Sequence, residues 1–101
     1  FADAQCNLGI MYYHGLGVDV NHKKAFEWFE KAAKQGHLNA QVALGDSYQY
    51  GAGVVQSDSM AMRWYAKAAA QGDEEAQARI DDMVAARRRS TNKSNEENKR
   101  P

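Results

Sequence analysis

The sequence has few of the features that mark a disulfide-stabilised or membrane-spanning protein. It contains one cysteine, Cys6, among 101 residues, and a lone cysteine cannot form an internal disulfide. No run of 18 apolar residues occurs, so we expect no transmembrane helix. No signal peptide is visible, but the chain opens on Phe1 and is expected to be a piece of a longer protein. At this length it forms one domain at most, with a modest core.

Motifs for catalysis and metal binding are also missing. His14, His22 and His37 have no partner at a metal-ligand spacing such as H-x-x-x-H, and we interpret them as surface residues. No residue is identifiable as a base for Cys6, which favours a packing role over a nucleophile. The Gly-x-Gly segments lack the Lys-Ser/Thr of a phosphate-binding loop, and no carboxylate pair stands out. We therefore predict that the protein is not an enzyme and uses no metal or cofactor.

Charge is balanced overall but divided along the chain. There are 13 basic and 13 acidic residues, yet residues 1–86 carry a formal charge of −4 and residues 87–101 carry +4. An acidic body with a basic end suggests an electrostatic contact rather than nucleic-acid binding. The basic residues also lack interleaved aromatic residues on which bases could stack. The expected partner is therefore a protein or peptide, with neither nucleic-acid binding nor membrane insertion.

The chain is rich in internal repetition. Residues 1–36 and 37–72 are identical at 15 of 36 aligned positions. The identical pairs are Ala4/Ala40, Gln5/Gln41, Leu8/Leu44, Gly9/Gly45, Tyr12/Tyr48, Gly15/Gly51, Gly17/Gly53, Val18/Val54, Ala25/Ala61, Trp28/Trp64, Lys31/Lys67, Ala32/Ala68, Ala33/Ala69, Gln35/Gln71 and Gly36/Gly72. A third, partial copy begins at about residue 74 and stops after one helix. A period of this length is typical of stacked supersecondary units.

Each full copy contains two segments with helical periodicity, which are joined by a Gly-x-Gly loop. Apolar residues recur at i, i+4 and i+8 in the first half of each copy and at i, i+3 and i+7 in the second half. Asn21 and Ser57 are good N-cap types, while Gly36 and Gly72 suit a left-handed helix end. The sequence predicts an all-α fold with helices at about residues 2–14, 22–35, 38–50, 58–71 and 74–88. The short connections make neighbouring helices antiparallel.

Two glycines inside predicted helices indicate close helix packing. Gly9 and Gly45 each cost about 1 kcal/mol relative to alanine in a helix. We interpret them as contact points for another helix, through its Trp or Tyr side chain, and expect the aromatic residues, including both Trp residues, to supply most of the buried area. Asp81 replaces this glycine in the third copy, so helix 74–88 is predicted to cap the stack. Residues 89–101 are predicted to form a disordered basic tail.

The repeated pattern resembles a known family. The motif A-x-A-Q-x-x-L-G-x-x-Y-x-x-G-x-G-V, followed by K-A-x-x-W-x-x-K-A-A-x-Q-G, is similar to the Sel1-like repeat, a relative of the tetratricopeptide repeat. Residues 2–36 match closely, residues 38–72 match with Met60 in place of the favoured lysine, and residues 74–84 match in part. The resemblance implies an α/α solenoid of two helical hairpins with a C-terminal cap, residues 1–88 in all. Such solenoids serve as scaffolds for protein complexes.

The resemblance leaves two other functions open. The protein could be a regulatory subunit that activates a partner enzyme. A cysteine-rich branch of the family, with a disulfide in each repeat, has been linked to β-lactam binding. Because this chain has only Cys6, it does not resemble that branch, and the enzyme alternative is disfavoured.

One face of the first helix in each copy varies while the opposite face repeats. At 100° per residue, a stripe runs along each first helix opposite the repeated Leu and Tyr positions. The stripe residues are Asp3, Asn7, Ile10 and His14, then Asn39, Ala43, Asp46 and Tyr50, then Glu75, Arg79, Asp82 and Ala86. In helical-hairpin solenoids the first helices line the concave surface, where peptides bind. We hypothesise a mildly acidic peptide-binding groove; the alternative is an ordinary solvated face.

Overall fold

Five α-helices form the whole of the regular structure in the computed structural model, which describes residues 1–98 and the side chains of residues 1–89. The helices are α1 (Ala2–His14), α2 (His22–Lys34), α3 (Leu38–Tyr50), α4 (Asp58–Ala70) and α5 (Glu74–Asn98). Within residues 1–98 no strand occurs. Each helix packs mainly on its neighbours in sequence, so α1–α2 and α3–α4 are stacked hairpins that α5 closes. The predicted solenoid is confirmed.

The predicted helix boundaries are correct to within a residue, with one exception. The bounds of α1 and α3 are as predicted, and α2 and α4 each end one residue early. The predicted end of α5 at residue 88 is wrong, because the helix continues to Asn98 through most of the segment expected to be disordered. No glycine or proline interrupts residues 74–98, and the segment contains several Arg, Lys and Glu residues that favour helix. Residues 99–101 lie outside the described residues.

The helix ends confirm the predicted caps. The Oδ1 atom of Asn21 accepts a hydrogen bond from the backbone N–H of Lys24 at 3.0 Å, and Oγ of Ser57 accepts one from Met60 at 3.2 Å. Each bond satisfies a backbone donor that the first helical turn leaves free. Gly36 and Gly72, just past the ends of α2 and α4, have φ angles of 91° and 97°. A side chain is strained at such angles, which explains why glycine ends both hairpins.

The two glycines inside helices are packing points, as predicted. A Cβ atom added to Gly9 would lie 2.6 Å from ring carbons of Phe29, and one added to Gly45 would lie 2.5 Å from the ring of Tyr65. The tryptophans do not occupy these positions. Trp28 and Trp64 are half-buried, with the ammonium groups of Lys31 and Lys67 at 4.5 and 4.7 Å from their ring centroids.

Glutamine side chains join the two hairpins across their interface. Nε2 of Gln71 donates hydrogen bonds to the Gly36 carbonyl at 3.0 Å and to Oε1 of Gln41 at 2.8 Å. Gln41 is itself buried and donates to the carbonyl of Ala33 at 3.3 Å. These bonds satisfy the buried amide of Gln41, which apolar stacking alone would leave unpaired, and they help to fix how the second hairpin sits on the first.

In the part of the chain that the structure describes, no helix is both long enough and apolar enough to span a membrane.

Candidate functional site

The stripe residues lie along the first helices of the three copies. Eight of the eleven predicted binding residues are exposed, and the other three, Ala43, Asp46 and Arg79, are half-buried. Asp3, Asn7, Ile10 and His14 lie on α1, the residues from Asn39 to Tyr50 on α3, and Glu75, Arg79 and Asp82 on α5. The predicted set therefore does not behave as one uniform face. Some members line open depressions, and others bond to one another.

A first depression, which we call the first socket, lies between α1 and α3. Its volume is about 260 Å³. It is lined by Ile10, Tyr13, His14, Phe29, Ala43 and Asp46. Four of these six are stripe residues from two successive copies. The structure brings the stripe residues Ile10, His14, Ala43 and Asp46 together and adds Tyr13 and Phe29, which the stripe does not include.

A second depression, the second socket, lies between the hairpin α3–α4 and α5, with a volume of about 480 Å³. It is lined by Gln49, Asp58, Met62, Asp82, Met83, Ala86 and Arg87. Gln49 occupies the repeat position of Tyr13, and Asp82 that of Asp46. The other five lining positions differ from those of the first socket, and we refer to the two sockets together as the groove.

Three positions that line the second socket hold aromatic rings in the first copy. In the first copy, the ring of Tyr13 stacks on that of His22 with centroids 4.7 Å apart, and Phe26 meets the edge of Tyr48 at 5.3 Å. The corresponding residues of the second copy are Gln49, Asp58 and Met62. These smaller or more flexible side chains form no ring stack, so the space between the helices stays open and becomes acidic.

A polar network beside the first socket joins α3, α4 and α5. Oδ1 of Asp46 accepts hydrogen bonds from the Tyr65 hydroxyl, at 2.5 Å, and from the guanidinium of Arg79. Arg79 also donates to Glu75 at 2.6 Å. Burial, reinforced by Asp46, raises the pKa of Tyr65 above its ordinary value. Burial lowers the pKa of Arg79, but Glu75, Tyr65 and Asp46 outweigh it and the net shift is upward.

This network changes the interpretation of two of the charged stripe residues, Asp46 and Arg79. Asp46 and Arg79 are each about 30% exposed and are paired with each other, so they hold α5 against α3 and α4. Sequence reasoning missed the pair, although a signal exists. The two residues are 33 positions apart, which is one repeat length minus about one helical turn. This separation places their opposite charges side by side on neighbouring first helices.

His37 departs from the predicted surface role. Its side chain is only 16% exposed, and Nε2 lies 2.7 Å from Oδ1 of Asp3. Nδ1 accepts a hydrogen bond from the backbone N–H of Ala40 at 3.2 Å, so the imidazole caps α3 while contacting α1. His14 and His22 are exposed as predicted. Among residues 1–89, whose side chains the structure describes, no group of three or more potential metal ligands occurs.

Cys6 is a packing residue in this structure. Its side chain is 3% exposed and belongs to the core cluster that joins the first hairpin to α3, with Ala25, Phe29 and Leu44. Burial, with a smaller contribution from the Asp3 charge, raises the pKa of the thiol above its ordinary value. Because the thiolate is the reactive form, this environment makes Cys6 a poor nucleophile.

Comparisons with known proteins identify the repeat. The family model described as "Sel1 repeat" matches residues 2–37 and 38–73. Among solved structures, a Sel1 repeat protein from Oxalobacter formigenes is 44% identical, with 81% of this chain and 62% of that chain covered and a TM-score of 0.79. A search of curated proteins found no match.

Two further solved structures share the fold. A protective antigen of uropathogenic Escherichia coli strains with an SLR fold is 43% identical, with 75% of this chain and 16% of that chain covered and a TM-score of 0.74. The cysteine-rich protein B of Helicobacter pylori is 27% identical, with 76% and 58% covered and a TM-score of 0.73. The chain thus spans less than two thirds of each of these three proteins.

Proposed function

Because this chain belongs to the Sel1 repeat family, we propose that it is a protein–protein interaction scaffold that holds a partner peptide in the groove between α1, α3 and α5. Proteins of this family are generally interaction scaffolds without catalytic activity. The proposed partner is a protein or peptide rather than a nucleic acid. The proposed site comprises the two sockets and the exposed stripe residues beside them.

The observation that carries this proposal is the contrast between the two sides of the first helices. The positions that pack the solenoid repeat between copies, as at Gly9 and Gly45. The positions that line the groove change from copy to copy, as from Tyr13 to Gln49. Packing requires the same shapes in every copy, whereas recognition of a partner with a unique sequence requires different side chains along the surface.

The test is affinity capture with variants that alter the groove without altering the packing. Asp82→Lys is the preferred change, because the Asp82 side chain is exposed and makes no hydrogen bond or ion pair within residues 1–89. Asp46→Lys is unsuitable, since it would place a second cation against Arg79 and loosen α5. Glu27→Lys is the matched control, because it makes the same charge change at an exposed position on α2.

We expect a partner that is retained by the unmodified protein and by Glu27→Lys and is lost with Asp82→Lys. Partners that bind all three proteins equally would contradict a site in the groove and leave only the scaffold role.

A further inference from the structure

One side of α1 carries residues whose counterparts in the second copy are buried. The identical pairs are Ala4/Ala40, Gln5/Gln41 and Leu8/Leu44. Ala40 and Leu44 are 0% exposed and lie in one core cluster with Ala33 of α2. In the first copy, by contrast, Ala4 is exposed and Gln5 and Leu8 are half-buried. We call these three residues of the first copy the open side of α1.

The hydrogen bonds of the two copies differ in the same way. Nε2 of Gln41 donates to the carbonyl of Ala33 at 3.3 Å, in the last turn of α2, where helix carbonyls lack intrahelical partners. Nε2 of Gln5 donates no hydrogen bond within residues 1–89, although Oε1 of Gln5 accepts one from Gln35. Gln35 also donates to the carbonyl of Lys31 in its own helix at 3.2 Å. The amide of Gln5 is thus positioned like that of Gln41 but lacks the helix carbonyl that α2 supplies to α3.

The loop glycines of the two copies give a steric comparison. A Cβ atom added to Gly53 would collide with the backbone carbonyl of His22 at the beginning of α2. At the equivalent Gly17, no described atom lies within 4 Å of the added Cβ. The φ angles are 78° and 76°, so the two loops have the same conformation. The difference between them is the neighbouring helix, which only Gly53 contacts.

At both junctions of the stack, the second helix of the preceding hairpin covers this position. α2 packs on α3 and α4 packs on α5. Ala76 of α5 is 0% exposed in a cluster with Ala68 of α4. The covering helices supply alanines, and α2 also supplies a carbonyl in its last turn and close backbone in its first turn. A helix with these features fits the open side of α1, where it would bury Ala4 and Leu8.

The connections between hairpins indicate the source of such a helix. Three residues, 35–37, join α2 to α3, and three, 71–73, join α4 to α5. A second copy of this chain does not offer a matching helix, because α3 and α5 already cover this side of α2 and α4. We propose that the open side of α1 docks the second helix of a further hairpin of the same repeat type in the same polypeptide. This helix lies on α1 as α2 lies on α3, and the proposal does not depend on peptide binding in the groove.

The first experiment lengthens the chain by one hairpin. Residues 1–36 are duplicated in register directly before Phe1, because the second helix of this hairpin already covers the identical residues in α3. Amides of the original α1 should exchange at least about tenfold more slowly than in the unmodified chain, since Ala4 and Leu8 lose contact with water. Unchanged exchange in the original α1, or an added hairpin that circular dichroism shows to be unfolded, would overturn the proposal.

The loop glycines provide a second test with an internal control. Alanine adds the same backbone strain at Gly17 and Gly53, because their φ angles are nearly equal. In the unmodified chain, Gly53→Ala should lower the urea midpoint more than Gly17→Ala, since only the Cβ at Gly53 meets the α2 backbone.

In the lengthened chain, Gly17→Ala at its original position should lower the urea midpoint as much as Gly53→Ala, because a helix now contacts it. The same substitution in the added loop is the matched control and should keep the smaller effect. Equal effects of the original and the added Gly17→Ala would show that no helix docks at this position, contrary to the proposal.

Sedimentation velocity of the unmodified chain tests the occupant. The chain should remain a monomer as its concentration is raised, because it contains no uncovered second helix. A dimer that Leu8→Gln abolishes would mean that a second copy covers the open side of α1, and the assignment to a further hairpin would be wrong.

Discussion

At Gly45 the helix has no side chain because the ring of Tyr65 occupies the space. An added Cβ would lie 2.5 Å from a ring carbon, closer than packed atoms approach. Gly45→Ala should therefore lower the free energy of unfolding by about 1–3 kcal/mol through overpacking, although alanine favours helix by about 1 kcal/mol. Urea denaturation measures the effect, and Ser59→Ala at an exposed position of α4 is the control. A stabilised Gly45→Ala protein would show that the ring moves aside without cost.

Gly36 is required for a different reason. Nothing lies within 4 Å of its would-be Cβ atom, but its φ angle is 91°. Gly36→Val should lower the free energy of unfolding by about 1–2 kcal/mol through backbone strain. Gly36→Asn should cost less, since asparagine tolerates positive φ better than valine. Equal melting temperatures for both variants would indicate that the loop rearranges.

Cys6 links stability to pH. Its pKa in the folded protein is raised by burial, so the fold favours the neutral thiol. This contribution is fully present below the ordinary thiol pKa of about 8.5 and is lost as pH rises through the thiol range. Between pH 8 and 10 the free energy of unfolding should fall more in the unmodified protein than in Cys6→Ala. A disulfide-forming thiol reagent should label Cys6 slowly until urea unfolds the chain, and immediate labelling would contradict its burial.

Between elements, the stack has two junctions, one between the first hairpin and α3 and one between the second hairpin and α5. Equivalent repeat positions at these two junctions carry different residues. At the first junction Ile10, Phe29 and Ala43 are apolar, whereas the second junction has Asp46, Tyr65 and Arg79. Arg79→Ala should cost about 1–3 kcal/mol in the free energy of unfolding, because Asp46 loses its cation. Replacing all three with the first-junction residues (Asp46→Ile, Tyr65→Phe, Arg79→Ala) should recover most of this loss, since the partly buried charges are then removed together and Glu75, which loses Arg79, is exposed. A triple variant no more stable than Arg79→Ala would contradict this account.

The same comparison shows which parts of the structure the sequence could predict. Repetition located the helices and their caps because each cap needs a specific residue type at a specific place, as at Asn21 and Ser57. It could not decide whether Trp28 or Phe29 would face Gly9, since both positions are aromatic in both copies and lie only 100° apart on the helix. The role of Asp46 also escaped prediction. A stripe defined on single helices does not show which of its residues touch the next helix.

For the candidate groove, the sequence identified the helix faces but not the sockets. The sockets depend on residues from second helices, such as Phe29 and Met62, and on how closely the helices approach. The continuation of α5 past residue 88 was missed because the polar composition of this segment was interpreted as disorder. Once a packed segment has nucleated a helix, the helix can continue through polar residues as long as no glycine or proline interrupts it.

At the scale of the whole molecule, each helix is stabilised mainly by the helices next to it in sequence. In such a stack stability is a sum of hairpin and nearest-neighbour terms, so the ends open at lower free energy than the middle. Amide hydrogen exchange should therefore be slowest in α2, α3 and α4, each of which packs on the helix before it and on the helix after it.

A variant at one end should then affect exchange mainly at that end. Arg79→Ala removes the ion pair that holds α5, so amides in residues 74–89 should exchange about five- to tenfold faster for each 1–1.4 kcal/mol lost, while those of α1 and α2 change little. Gly9→Ala is the matched perturbation at the opposite end, because its Cβ would press on Phe29, and it should speed exchange in α1 and α2 but not in α5. Equal acceleration in all five helices by either variant would mean that the solenoid opens as one cooperative unit. In that case the ion pair at α5 would stabilise the groove as a whole, because loss of either end would expose both sockets together.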